Sequence, residues 1–127
     1  MKYSKTIFIP YNVPSSKNSK QMIRNKGRIF FVWSKTAQKY VRATKKAYSS
    51  YMPIFIKHLA GLEKPYRISF KFIRGSKHKF DYPNPLQTVL DLMVTYGWLD
   101  DDNADEVIPA FEPYIYNKEK PGVLILI

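Results

Sequence analysis

Cysteine is absent from the 127 residues, so neither a disulfide framework nor a thiolate zinc site is open to this chain, and a reducing compartment suits it. Acidic side chains are missing from its first half: residues 1 to 62 hold 13 Lys and Arg and no Asp or Glu. That half has no internal salt bridge to make, so its charge must be met by a distant acidic segment, by solvent or by a polyanion. A long apolar run is lacking at the N-terminus, where MKYSKTIFIPYNVP has three apolar residues in a row before proline. The run is too short for a signal peptide or a membrane span, which makes a soluble cytoplasmic protein the expectation. No internal repeat, low-complexity stretch or linker divides the chain. Its length fits one domain, residues 1–127, burying roughly two-thirds of its unfolded surface.

What is present is basic and aromatic. A net charge of +11 favours a polyanionic partner, and 45% hydrophobic with 16% aromatic residues places the chain among globular proteins. Against this background one segment stands apart. Residues 80 to 112, FDYPNPLQTVLDLMVTYGWLDDDNADEVIPAFE, contain eight of the ten acidic residues and no Lys or Arg. Four of these, Asp100, Asp101, Asp102 and Asp105, fall within six residues. Their mutual repulsion calls for distant basic side chains, solvent or a bound divalent cation.

Element signals run in a clear order. SKTIFIP reads as a strand, with Ile7 and Ile9 on one face, and YNVPSSKNSKQ as a loop. In that loop Ser15, Ser16, Lys17, Asn18 and Lys20 offer hydroxyl, amide and ammonium contacts to phosphate, or serve as an ordinary polar turn. QMIRNKGRIFFVW has hairpin character, with Lys26, Gly27 and Arg28 at the tip. Ser34 caps a helix whose apolar stripe is Ala37, Tyr40, Val41, Thr44 and Tyr48; Pro53 is expected to kink or end it near Tyr51 or Met52, with a second short helix over 54–59. YRISFKFIRGS alternates and predicts a strand, followed by the basic run Lys77, His78, Lys79. Asn84 is expected to cap a helix with Pro85 at its first position, buried face Leu86, Val89, Leu90 and Met93, and Gly97 at its C-terminal cap. Strands VIPAFEPYIY and PGVLILI close the chain. The class is α+β, or mixed α/β: a mixed sheet with two main helices.

Two metal templates bear on the acidic turn. Asp101, Asn103, Asp105 and Glu112 match positions 1, 3, 5 and 12 of a calcium-binding EF-hand loop, but Glu106 stands where the sharp turn needs glycine, and Pro109 and Pro113 spoil the exiting helix. The more general case is an oxygen-rich site suited to Mg²⁺ or Mn²⁺, with a solvated acidic turn as its plain alternative. His78 and His58 are weaker ligand candidates, each alone in its surroundings.

The D-x-x-N of Asp81 to Asn84, followed by LQTVLDLMVTYGWLDDDNADEV, resembles the core of the RusA family of Holliday junction resolvases. Those chains show D-x-D-N, a helix containing K-x-x-L-D, then a glycine and a D-D pair. The first half is similar too: a strand, IPYNVPSSKNSK, a basic NKGR turn, and SKTAQKY entering a long helix. The resemblance spans the chain in order. It implies a RusA-like fold, a homodimer, branched double-stranded DNA as substrate, and phosphodiester hydrolysis with Mg²⁺ held by aspartates. Carried over, Asp81 is the first motif aspartate, Asn84 the asparagine, and Asp101 and Asp102 the D-D pair. Asp81, Asp101 and Asp102 are thus the implied catalytic and metal-binding residues, with Asp100 and Asp105 as substitutes. Lys17, Asn18, Lys20, Lys26, Arg28, Lys77 and Lys79 are the phosphate-contact candidates. Two positions depart from the pattern: Pro83 replaces the second motif aspartate and Gln87 the helix lysine. The alternative expectation is therefore a relative that binds DNA without cleaving it.

Overall fold

The structure is a computed structural model describing residues 3–15 and 20–127, the side chains of 20–23, 30 and 31 excepted. Its elements are β1 (Thr6–Pro10), β2 (Lys20–Asn25), β3 (Arg28–Trp33), α1 (Lys35–His58), β4 (Tyr66–Arg74), α2 (Pro83–Thr95), β5 (Val107–Phe111), β6 (Ile115–Tyr116) and β7 (Gly122–Leu126). The class is α+β, as expected. One sheet has the order β1-β7-β4-β5, with β6 also pairing β4; β2 and β3 form a separate hairpin. β7 runs antiparallel to β1 and β4, whereas β4 pairs in parallel with β5 and β6, so α2 is the crossover that a parallel pair requires. Among the described residues no helix is long and apolar enough to cross a membrane.

Alternation along β4 sends Ile68, Phe70 and Phe72 into the core, where they are fully buried. The same parity carries Arg74 inward, 3% exposed. Its guanidinium donates to the Val13 carbonyl at 2.5 Å and to Ser15 Oγ at 3.0 Å, and it sits 4.6 Å from the Phe80 ring centroid. The Asn12 side chain accepts from the Gly75 amide at 2.8 Å. The loop after β1 is thereby pinned to the end of β4.

Ser34 caps α1 as expected, its Oγ accepting from the Ala37 amide at 3.3 Å. The helix does not stop at Pro53, however, and no second helix follows: one element of 24 residues runs through it. Packing explains the difference. Pro53 is exposed, while Tyr48, Phe55 and Leu59 continue a single buried stripe. Trp98 lies 5.6 Å from Tyr48 and 4.8 Å from Phe55, centroid to centroid, and its indole N–H donates to the Tyr48 carbonyl at 2.8 Å. These contacts on both sides of the proline outweigh the one backbone bond it removes.

α2 also begins earlier than expected. Pro83, not Pro85, is its first residue, and Tyr82 rather than Asn84 occupies the cap position, without a side-chain bond. A proline at the first position loses no helical hydrogen bond, and the Asn84 amide donates to the Asp81 carbonyl at 3.1 Å. The other end is as expected. Gly97 has φ +81°, its amide donates to Val94 O at 3.1 Å, and Trp98 N–H donates to Met93 O at 2.8 Å, closing the helix with paired bonds. VIPAFEPYIY is two short strands rather than one, because Glu112 and Pro113 interrupt the pairing before Ile115.

Candidate acidic site and basic surface

Burial of Trp98 against α1 fixes where the chain emerges after α2, and the acidic turn follows at once. Its charges are met in three ways. Lys64, from the segment before β4, reaches Asp100 and Glu106, each at 2.8 Å. These two carboxylates, the Asp100 bond first, hold the Lys64 ammonium well above the ordinary lysine pKa. Asp101 is satisfied locally: Oδ1 accepts from the Asp102 amide at 2.7 Å and Oδ2 from Asn103 Nδ2 at 3.1 Å. The backbone bond, with help from Asn103, holds the Asp101 carboxyl below its usual range. Asp102 turns toward α2, where Gln87 Nε2 donates to Asp102 Oδ2 at 3.1 Å and to Asp91 Oδ1 at 2.8 Å. One neutral carboxamide thus gathers carboxylates from two elements.

These aspartates border a hollow of about 400 Å³. Asp91, Val94 and Thr95 form its α2 side and Asp101 and Asp102 its loop side. Val32 and Trp33, at the end of β3, close it. Asp105 is exposed beyond it, its amide donating to Asn103 Oδ1 at 2.9 Å. Asp81 is exposed two residues before α2 and does not line the hollow; four residues of helical rise, roughly 6 Å, separate Pro83 at the helix start from Gln87. The rings on either side hold it in place. Phe80 packs edge-on against Tyr82 and Tyr114, and Tyr82 stacks on Phe111 with centroids 4.6 Å apart. The structure therefore joins Asp102, Asp101 and Asp91 at one hollow and leaves Asp81 at the N-terminal end of the same helix. Among the described residues no three or more His, Cys, Asp or Glu side chains form a group that could hold a metal ion.

The basic candidates divide by location. Lys26 and Arg28 are exposed at the hairpin tip, where Lys26 (φ 51°) and Gly27 (φ 76°) form the two-residue turn. Five residues of strand separate Arg28 from Trp33 at the hollow, roughly 17 Å at ordinary strand rise. Lys20 stands opposite Trp33 in the hairpin register, its side chain being outside the described ones. Lys77 and Lys79 are exposed between β4 and α2, with the Lys77 ammonium 5.1 Å from the Tyr116 ring centroid. Lys17 and Asn18 lie outside the described residues.

Three participants are not among the residues singled out from sequence. Asp91 is one, mid-helix and on the same face as Gln87 at a spacing of four. Lys64 gives no local signal, lying 36 residues from Asp100 in sequence. Trp33 reads as a strand-end aromatic until the hairpin delivers it to the hollow. No protein-family model matches the chain, and no curated protein matches it.

Proposed function

We propose that this protein is a RusA-like, Mg²⁺-dependent endonuclease that acts on branched DNA in the cytoplasm as a homodimer. The observation that carries the reading is a hollow lined by Asp91, Asp101 and Asp102, set beside a basic hairpin in a chain of net charge +11. Every donor there is an oxygen, and Mg²⁺ is commonly held by one or two carboxylates plus substrate phosphate. Asp91 and Asp102, already drawn together by Gln87, meet that requirement, with Asp101 adjacent. Mn²⁺ suits the same donors. When bound, such a cation supplies an activated water and neutralises charge on the phosphate and leaving oxygen.

The residues themselves perform the remaining tasks. Gln87 orients two carboxylates without cancelling their charge. Asp101 stays ionised because its local hydrogen bonds favour the anion. Lys64 engages Asp100 and Glu106, which keeps those two carboxylates on the far side of the turn. Lys26, Arg28, Lys77 and Lys79, together with Lys17, Asn18 and Lys20, supply phosphate contacts that position the duplex arms. Two-fold symmetry of a homodimer would match paired nicks at symmetric positions of a junction.

A second reading, DNA binding without cleavage, draws on one specific feature. Gln87 already bonds one oxygen each of Asp91 and Asp102 without a cation, and Pro83 contributes no donor. A junction-binding assay in chelator, followed by addition of Mg²⁺ and scoring of nicks, separates the two. Salt-sensitive binding followed by nicking is the expected result. Binding that persists without nicks selects the second reading, and the absence of binding removes both.

A further inference from the structure

A second hollow, of about 410 Å³, lies against the start of α1. One face of that helix, Thr36, Lys39, Tyr40 and Ala43, provides one wall at the i, i+3, i+4, i+7 spacing; Tyr11, Asn12 and Pro14 provide the other. Pro14 and Tyr40 are buried and make an apolar floor. The Tyr40 hydroxyl is taken by Tyr48 at 3.1 Å. Ala43 opens space where a longer side chain would fill it. Among the described residues no carboxylate lines the hollow, and Lys39 does.

Tyr11 is the unusual residue here. The residue is 55% exposed and its φ is +78°, a left-handed conformation that a side chain as bulky as tyrosine rarely adopts. Bonds on both sides enforce it. The Tyr11 amide donates to Pro121 O at 3.0 Å, Asn12 accepts from Gly75, and Arg74 holds Val13 and Ser15. The fold thus spends backbone strain on presenting an aromatic ring to solvent at the edge of an apolar hollow.

We propose that this hollow is a binding site for one unpaired nucleotide of a single strand, with the base stacked on Tyr11 between Pro14 and Ala43 and its phosphate on Lys39. The volume lies in the range of small-ligand sites, and the lack of any acidic residue in the first 62 matches an anionic occupant. Among the described residues the Asn12 carboxamide uses only its oxygen, toward Gly75, which leaves its NH₂ for a base edge. Trp33 borders the acidic hollow and Thr36, three residues on, borders this one. The inference rests on the DNA-binding part of the reading above and not on cleavage.

The test is binding of fluorescein-labelled hexathymidylate by the full chain in chelator, followed by anisotropy. Tyr11→Gly removes the ring and relieves the left-handed backbone; it should weaken binding roughly tenfold while leaving the urea midpoint unchanged or higher. Tyr11→Phe should bind as the wild type does, and Lys39→Gln should lower the slope of log affinity against log salt by about 0.7. Equal binding by Tyr11→Gly, or no hexathymidylate binding by the wild type, overturns the proposal, as does occupation by a glutamate-rich tyrosine peptide in place of the oligonucleotide. The outcome is independent of nuclease activity: a chain that never nicks a junction can pass this test, and one that nicks can fail it.

Discussion

Gln87 and Asp102, fifteen residues apart and on different elements, are joined by a hydrogen bond of 3.1 Å from Nε2 to Oδ2, and the same nitrogen reaches Asp91 at 2.8 Å. Where the resemblance leads one to expect a lysine, the chain has a neutral donor that gathers two carboxylates and leaves their negative charge in place.

Replacing that donor tests its role. Gln87→Leu should lower stability by about 1 kcal/mol in chelator, the usual net worth of such bonds at an exposed position. Because the two carboxylates then lack their shared donor, added Mg²⁺ should raise the melting temperature of the variant more than that of the wild type. Equal shifts would show that Gln87 does not bear on cation binding.

Much of this was legible in the chain, and the gaps have physical causes. Strand β4, the hairpin and the Gly97 helix stop follow from period and turn chemistry, which act over a few residues. Pro53 misleads because the contacts of Tyr48 and Phe55 with Trp98, about fifty residues away, outweigh a local preference. The carboxylates were legible as a charge anomaly, yet their sorting was not. Lys64 taking Asp100, and Gln87 taking Asp102 and Asp91, are decided by tertiary placement alone.

Acid sensitivity should carry the signature of Asp101. Its folded-state pKa is depressed below 3.8, chiefly by the Asp102 amide, so its contribution is fully present above the unfolded value and is lost as pH falls through the folded one. Asp101→Asn keeps the turn but removes the charge. The variant should be less stable than the wild type near neutrality, and the gap should close as pH drops below about 4 in a series of urea midpoints. A gap independent of pH would assign the loss to the turn rather than to the charge.

Arg74 is a buried cation whose described partners are neutral, a carbonyl and a hydroxyl, with the Phe80 ring beneath. Arg74→Ala leaves the buried Val13 carbonyl without its donor and should destabilise by about 2–4 kcal/mol in urea unfolding. Arg74→Lys should recover little, since an ammonium offers neither the two-pronged contact nor the flat stack. Full recovery by lysine would reduce Arg74 to a point charge.

Hairpin-tip charge should appear in salt dependence. Lys26→Ala with Arg28→Ala should weaken junction binding in chelator and reduce the slope of log affinity against log salt by about 1.8, or about 0.9 for each lost phosphate contact. An unchanged slope would place the DNA elsewhere on the molecule.

On the proposed reading, the hollow between α2 and the acidic turn is where a phosphodiester is hydrolysed. The direct measurement compares nicking of an end-labelled four-way junction in Mg²⁺ by the wild type and by Asp91→Asn with Asp102→Asn. Paired nicks at symmetric positions by the wild type, reduced by roughly a hundredfold in the double variant with junction binding retained in chelator, is the expected result. Equal nicking by both proteins would contradict it.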